Sequence, residues 1–289
     1  MRGANRVTRP GTVNGGEEAR RDAIITCIVS PDGRITRTGV VVDGRARWSD
    51  GRSGSGPRVP VGLLGRHLRE VATTTTSLMV NVEHVGRYIL IHEDSNFERE
   101  LVHELAHLDD HGGTIVYVNG IAGTLHHEIL NAFNDVKCEQ AAIERGFKQE
   151  ILGELDRYAR LSPEKIVAAD EDTKSMVLGP MLARCIRYAF FDDEAFQERA
   201  GSILGILAAI GRCTLHGTAV SFQRLPVQGI TGVVARDGSG LPTSDPDGLY
   251  AGVNALLRVI AGGDVPRLAF DREASEFHLD HGACHGRAG

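Results

Sequence analysis

Five consecutive residues, His103-Glu104-Leu105-Ala106-His107, have the types and spacing to hold a metal ion and to activate water beside it. On an α-helix, residues i and i+4 stack on one face a turn apart, so both imidazoles can point at a single ion. Glu104 directly follows the first histidine, which sets its carboxylate beside the ion rather than on it, placed to take a proton from a bound water. Zinc suits such a pair, lowers the pKa of a bound water to ~7 and polarises the carbonyl that the water attacks. The expected cofactor is Zn2+, held by His103 and His107, with Glu104 as the catalytic base.

A catalytic zinc takes three protein ligands plus water, so a third donor is needed. His111 continues the spacing. On a straight helix i, i+4 and i+8 spread over about 12 Å of rise, so the three converge only if the chain turns at Asp109-Asp110. His126 and His127 are near enough in sequence, although a pair at a helix start more often serves as a cap or a solvated feature. Better candidates are Asn131, Asp135 and Glu139, which recur at i, i+4 and i+8 on the next helix. Phe133 and Val136 flank that polar face, and a second inward helix is what a two-helix zinc site requires.

The elements that must position these residues can be read from periodicity. From Asp22 to Trp48 apolar and polar residues alternate, with turn signals at Ser30-Pro31-Asp32-Gly33 and Asp43-Gly44, which predicts short strands joined by hairpins. Gly51 to Gly56 reads as a flexible loop. Val61 to Val71 has helical spacing, and Leu78 to His92 returns to strand character, divided at Gly86. The motif helix begins near Ser95-Asn96, with Ser95 and Glu98 spaced as a capping box. It runs to Asp110, where Gly112-Gly113 stops it. The apolar strand just before it is placed to hold an extended substrate by edge pairing. A strand-like piece at Thr114 to Val118 ends at Asn119-Gly120. The second helix is expected at about 124–146. Further helical segments follow at 149–161, 163–169, 174–191, 194–211 and 247–260.

HELAH followed by Leu130-Asn131-Ala132-Phe133-Asn134-Asp135-Val136-Lys137-Cys138-Glu139 resembles the HExxH … N-x-L-E-D-x-R-I-E signature of a group of zincin-like metallopeptidases. That group is found alongside von Willebrand A domains and AAA ATPases, with relatives among cobaltochelatase-type subunits. Asn131, Asp135 and Glu139 match its fixed polar positions, Lys137 replaces the arginine, and Asn134 stands where glutamate is usual. The stretch is also similar to the gluzincins, whose ligand glutamate follows an asparagine and precedes a second acid by four residues. Asn134-Asp135 with Glu139 keeps that order, with aspartate in the ligand's place. The longer metzincin pattern fails, because Gly113 stands where its histidine would be.

The resemblance covers about residues 85–145. It implies an α+β, zincin-like metallopeptidase domain with N-terminal β-strands, an active-site helix, a ligand helix and a mostly helical C-terminal part. It further implies Asp135 as third zinc ligand, Glu139 as acceptor for a histidine N–H, and Asn131 as support behind the ligands. Peptide hydrolysis also needs a donor for the developing oxyanion, for which Tyr158, Arg184, Tyr188 and His216 are available.

The bulk of the 289-residue chain is ordinary for a soluble globular protein, with 42% hydrophobic and 24% charged residues. A net charge of −6 gives no basic surface for nucleic acid or anionic lipid. Residues 1–21 carry no apolar leader, and the longest apolar run, Ile206 to Ile210, is far too short to span a bilayer. The 5 cysteines (Cys27, Cys138, Cys185, Cys213, Cys284) form no CxxC pair and suit thiols in a reducing compartment. A cytoplasmic location is expected.

The expected organisation is a flexible tail at 1–21, a zincin-like domain at 22–215 and a glycine-rich C-terminal region at 216–289, disordered from about 272. Asp237-Gly238-Ser239-Gly240 resembles the adhesion loop of von Willebrand A domains, but Leu241 stands at the last serine, so it reads as a surface loop. His278, His281, Cys284 and His285 form a tract with adventitious metal affinity. The expected function is zinc-dependent hydrolysis of peptide bonds in a protein or peptide substrate, with the C-terminal region covering the cleft or binding a partner protein. The alternatives are a catalytically silent, zinc-stabilised zincin-fold scaffold in a larger assembly, and an amide hydrolase acting on something other than peptides. Glu104 favours an enzyme, because a purely structural site has no use for a carboxylate beside the metal.

Overall fold

A computed structural model describes residues 23–49, 57, 59–74, 77–82, 85–110, 121, 123–225, 230–262, 265–274 and 276–280. Several expected features lie outside them: the N-terminal tail, the Gly51–Gly56 loop, His111, the Gly112-Gly113 stop, the Thr114–Val118 strand, and His281, Cys284 and His285. The fold is α+β, and the chain divides into two compact units, Met1–Glu104 and Leu105–Gly289.

The first unit is built on a five-stranded sheet. Its strands are β1 (Ile24–Val29), β2 (Ile35–Val42), β3 (Arg45–Trp48), β4 (Leu78–Val82) and β5 (Gly86–His92), with helix α1 (Val61–Thr74) between β3 and β4. Spatial order is β3-β2-β1-β5-β4. Every neighbouring pair is antiparallel except β1 and β5. Both turns fall where the sequence signals them. Gly33 has φ 78°, and Asp43 and Gly44 have φ 51° and 70°, the left-handed pair that a two-residue hairpin turn requires. Leu64, Leu68 and Val71 line one stripe of α1 and pack with Cys27, Val29, Val80, Tyr88 and Leu90 of the sheet.

The strand expected to offer its edge to a substrate, β5, is instead interior, between β1 and β4. Its run Tyr88-Ile89-Leu90-Ile91 is buried throughout, as a strand covered on both faces should be. Among the described residues the sheet ends at β4 on this side and at β3 on the other.

The motif helix, α2 (Phe97–Asp110), contains the boundary between the units. Its cap is Asn96 rather than the expected Ser95. The Arg99 N–H donates to Asn96 Oδ1 at 3.3 Å, and the Glu100 N–H to the Asn96 carbonyl at 3.0 Å.

The second unit is largely helical: α3 (Leu125–Ala142), α4 (Lys148–Ala159), α5 (Pro163–Val167), α6 (Glu171–Tyr188), α7 (Glu194–Ile210) and α8 (Pro246–Ile260). Gly146, with φ 98°, turns the chain between α3 and α4. Hairpins β6 (Arg212–Leu215) with β7 (Thr218–Ser221) and β8 (Arg267–Asp271) with β9 (Glu276–Asp280) complete it. Ile129, Phe133 and Val136 of α3 share one core with Leu182 and Ile186 of α6, Phe196 and Ile203 of α7, and Leu256 and Leu257 of α8.

The C-terminal region is more ordered than its sequence pattern predicts. Leu225, Leu249 and Phe277 belong to that same core. The stretch expected to be disordered from about 272 includes β9, because Leu268 and Phe277 turn inward from the two strands while the Asn254 side chain pairs with the Leu268 backbone N–H and carbonyl at 2.8 Å each.

Candidate metal centre

Helix α2 turns His103, Glu104 and His107 as the i, i+4 spacing requires. Both histidines are half-buried and Glu104 is only 6% exposed. A ring nitrogen of His103 lies within 4.8 Å of one of His107, from the preceding turn of the same helix. Glu104 is fixed from the sheet side. Ser77 Oγ, one residue before β4, sits 2.6 Å from Glu104 Oε1 and 2.6 Å from Glu100 Oε2. A hydroxyl carries one hydrogen, so Ser77 donates to one of these acids at a time.

In the second unit, α3 presents two groups to His107. Asp135 Oδ1 is 3.3 Å from His107 Nε2, and Cys138 Sγ lies within 4.8 Å of a His107 ring nitrogen. Asp135 and Cys138 are i and i+3 on one helical face. Behind them stands Arg187 of α6. Its Nη2 pairs with Asp135 Oδ2, and its Nη1 donates to Glu139 Oε1 at 2.9 Å. Burial disfavours the guanidinium charge, but the facing Asp135 and Glu139 carboxylates outweigh it and hold Arg187 firmly charged.

The other expected groups are placed as follows. Asn131 Nδ2 meets His127 Nε2 at 3.1 Å. His126 Nε2 meets the Pro266 carbonyl at 2.8 Å, and the His127 N–H donates to the Thr124 cap. Both histidines are thus engaged at the start of α3. Glu139 is 1% exposed and is paired to Arg187.

Of the oxyanion candidates, Arg184 pairs with Glu154 and lies 4.1 Å over the Tyr158 ring. Tyr188 stacks on Phe196 in the core, and His216 faces Glu128 at 3.7 Å. The Asp237 loop is tied to α3 by Lys137, 2.9 Å from Asp237 Oδ2. His278 lies on β9.

Ser77, Cys138 and Arg187 were not found from the sequence. Cys138 had a signal, since it shares the face of Asn131 and Asp135 at helical spacing. Ser77 and Arg187 had none, because only the fold brings them to their acids.

The donor set fits zinc: two imidazoles on one turn, with a thiol and a carboxylate facing the second of them, are the N, S and O ligands that ion prefers. No helix among the described residues is long and apolar enough to cross a membrane. Among the described residues no disulfide joins Cys27, Cys138, Cys185 or Cys213. Compared with protein-family models, with curated proteins and with solved structures, the chain matches none.

Proposed function

We propose that this protein is a zinc-dependent hydrolase of peptide bonds in a protein substrate, built on a zincin-like arrangement of sheet and motif helix. The observation that carries this reading is the setting of Glu104, a buried carboxylate one residue from His103, held by the hydroxyl of Ser77 just before β4. His103 and His107 hold the ion, and α3 supplies the remaining donor from Asp135 or Cys138. A zinc bound there supplies a Lewis acid that lowers the pKa of water and polarises the scissile carbonyl.

Glu104 takes the proton from the attacking water and passes it to the leaving amine. When Ser77 donates to Oε1, Oε2 is left to meet the water. An extended substrate pairing along β4 runs past this carboxylate, because β4 begins one residue after Ser77. Asn131 is engaged with His127, and Glu139 with Arg187.

A second reading has one observation in its favour. Asp135 and Cys138 both face His107, so α3 offers enough donors to close a four-coordinate site and make the protein a zinc-stabilised scaffold. Glu104→Gln separates the two. The hydrolase reading expects about one zinc per chain, lost in His103→Ala and His107→Ala. It expects Glu104→Gln to keep the zinc and the melting temperature while cleavage of the cellular target falls by roughly 10²–10⁴-fold. The assay compares cleaved proteins in cells expressing wild type or Glu104→Gln. Full zinc in both histidine variants removes the site, and a cellular role untouched by Glu104→Gln leaves the scaffold.

A further inference from the structure

We propose that Cys138, and not Asp135, is the third protein ligand of the metal, and that Asp135 positions His107. This rests on the zinc reading above and adds the identity of the donor that completes it.

Both oxygens of Asp135 are engaged. Oδ2 is paired with Arg187 and Oδ1 stands 3.3 Å from His107 Nε2. The same guanidinium also pairs with Glu139, so it is a fixed cation that anchors Asp135 through Oδ2. With Oδ2 held by Arg187, Asp135 has only Oδ1 to offer, and that oxygen already faces the His107 ring. It is well placed to accept the N–H of a ligand histidine, which fixes the ring and leaves the other ring nitrogen for the ion. Arg187, Asp135 and His107 then form one chain of contacts ending at the metal.

Cys138 is built for the complementary task. It lies one turn further along the same face of α3, fully buried, with Sγ within reach of His107. Its thiol donates to the Asn134 carbonyl of its own helix at 3.8 Å, a long contact for a sulfur donor. On binding, the S–H bond breaks, its proton goes to solvent and the sulfur lone pair forms the bond to the ion. Two neutral imidazoles and one thiolate leave a fourth position open for water, as hydrolysis requires.

Cobalt(II) substitution tests this without an activity assay. The full-length protein loaded with cobalt should show an intense near-ultraviolet sulfur-to-cobalt charge-transfer band. Cys138→Ala should lose that band, whereas Asp135→Asn should keep it. X-ray absorption at the zinc edge of the wild type should find one sulfur at about 2.3 Å beside nitrogen at about 2.0 Å. That measurement stands even where Cys138→Ala fails to fold. Metal bound with only nitrogen and oxygen neighbours, or a charge-transfer band that survives Cys138→Ala, overturns the assignment. A wild type that takes up no cobalt or zinc removes the zinc reading itself.

Discussion

Two helices of this protein each carry a pair of acids at i, i+4, and the two pairs are bridged by different chemistry. On α2, Glu100 and Glu104 meet at a neutral hydroxyl, Ser77. On α3, Asp135 and Glu139 meet at a guanidinium, Arg187. A cation between two carboxylates offsets half of their charge and fixes their geometry, which makes a support. A hydroxyl orients a carboxylate without bringing a charge beside it. The two pairs differ in the bridging group more than in the acids themselves.

The largest effect expected from breaking this contrast lies on the guanidinium side. Arg187→Met leaves two carboxylates facing each other in a nearly dry site. Stability should fall by about 3–5 kcal/mol, as for removal of one partner of a buried ion pair. Urea unfolding reads it, and a loss under about 1 kcal/mol would show that the guanidinium is not a structural support.

Next comes Asp135→Asn, which keeps shape but weakens the acceptor beside His107. Zinc affinity should drop about 10–100-fold, the usual cost of losing a partner behind a metal ligand. Competition with a chromophoric chelator measures it. Complete loss of zinc, matching His107→Ala, would instead make Asp135 a direct ligand.

Ser77→Ala is smaller again. Removing the hydroxyl should lower kcat roughly 10-fold, by freeing the base from its bridge, with zinc content and melting temperature nearly unchanged. An unaltered kcat would mean that Ser77 serves the strand and not the base.

The smallest effect belongs to a third acid held by a cation. The Ser239 hydroxyl, and then the Lys137 ammonium, pull the Asp237 carboxyl down to about 2 from its ordinary 3.8. A lowered folded value gives stability that is complete above the ordinary value and is lost as pH falls from about 4 to about 2. Wild type should therefore exceed Asp237→Asn slightly at pH 5 and converge with it near pH 2. Equal melting temperatures across that range would mean the contact contributes nothing.

Local signals carried far in the sequence. Asp43-Gly44 and Ser30 to Gly33 mark real turns, and the i, i+4 histidines lie on a real helix. Strand position was not legible, because nothing local in Tyr88 to Ile91 tells an edge strand from an interior one. The helical face of α3 was legible only in part. Asp135 and Glu139 stood out as charges, while Cys138 passed as one of several scattered thiols. Arg187 was beyond reach, since a distant basic residue gains meaning only when α6 packs on α3. The C-terminal hairpin was missed for a related reason. Its strands are short, and what holds them is the Asn254 amide and a shared core rather than their own pattern.

The parallel pairing of β1 with β5 has a consequence for how the first unit forms. The β1–β2 hairpin closes locally, through a short turn, and can appear early. Cys27 and Leu90 are register partners, yet the chain between them must first build β2, β3, α1 and β4. Loop-closure entropy therefore delays β5, and during synthesis the second edge of β1 stays unpaired until residues up to His92 have emerged. An unpaired strand edge with Ile24, Ile25 and Ile28 beside it is a template for association with other chains. Nascent chains ending before β4 and β5 should be the aggregation-prone ones, and the motif helix, which follows β5 directly, is made only after that exposure is nearly over.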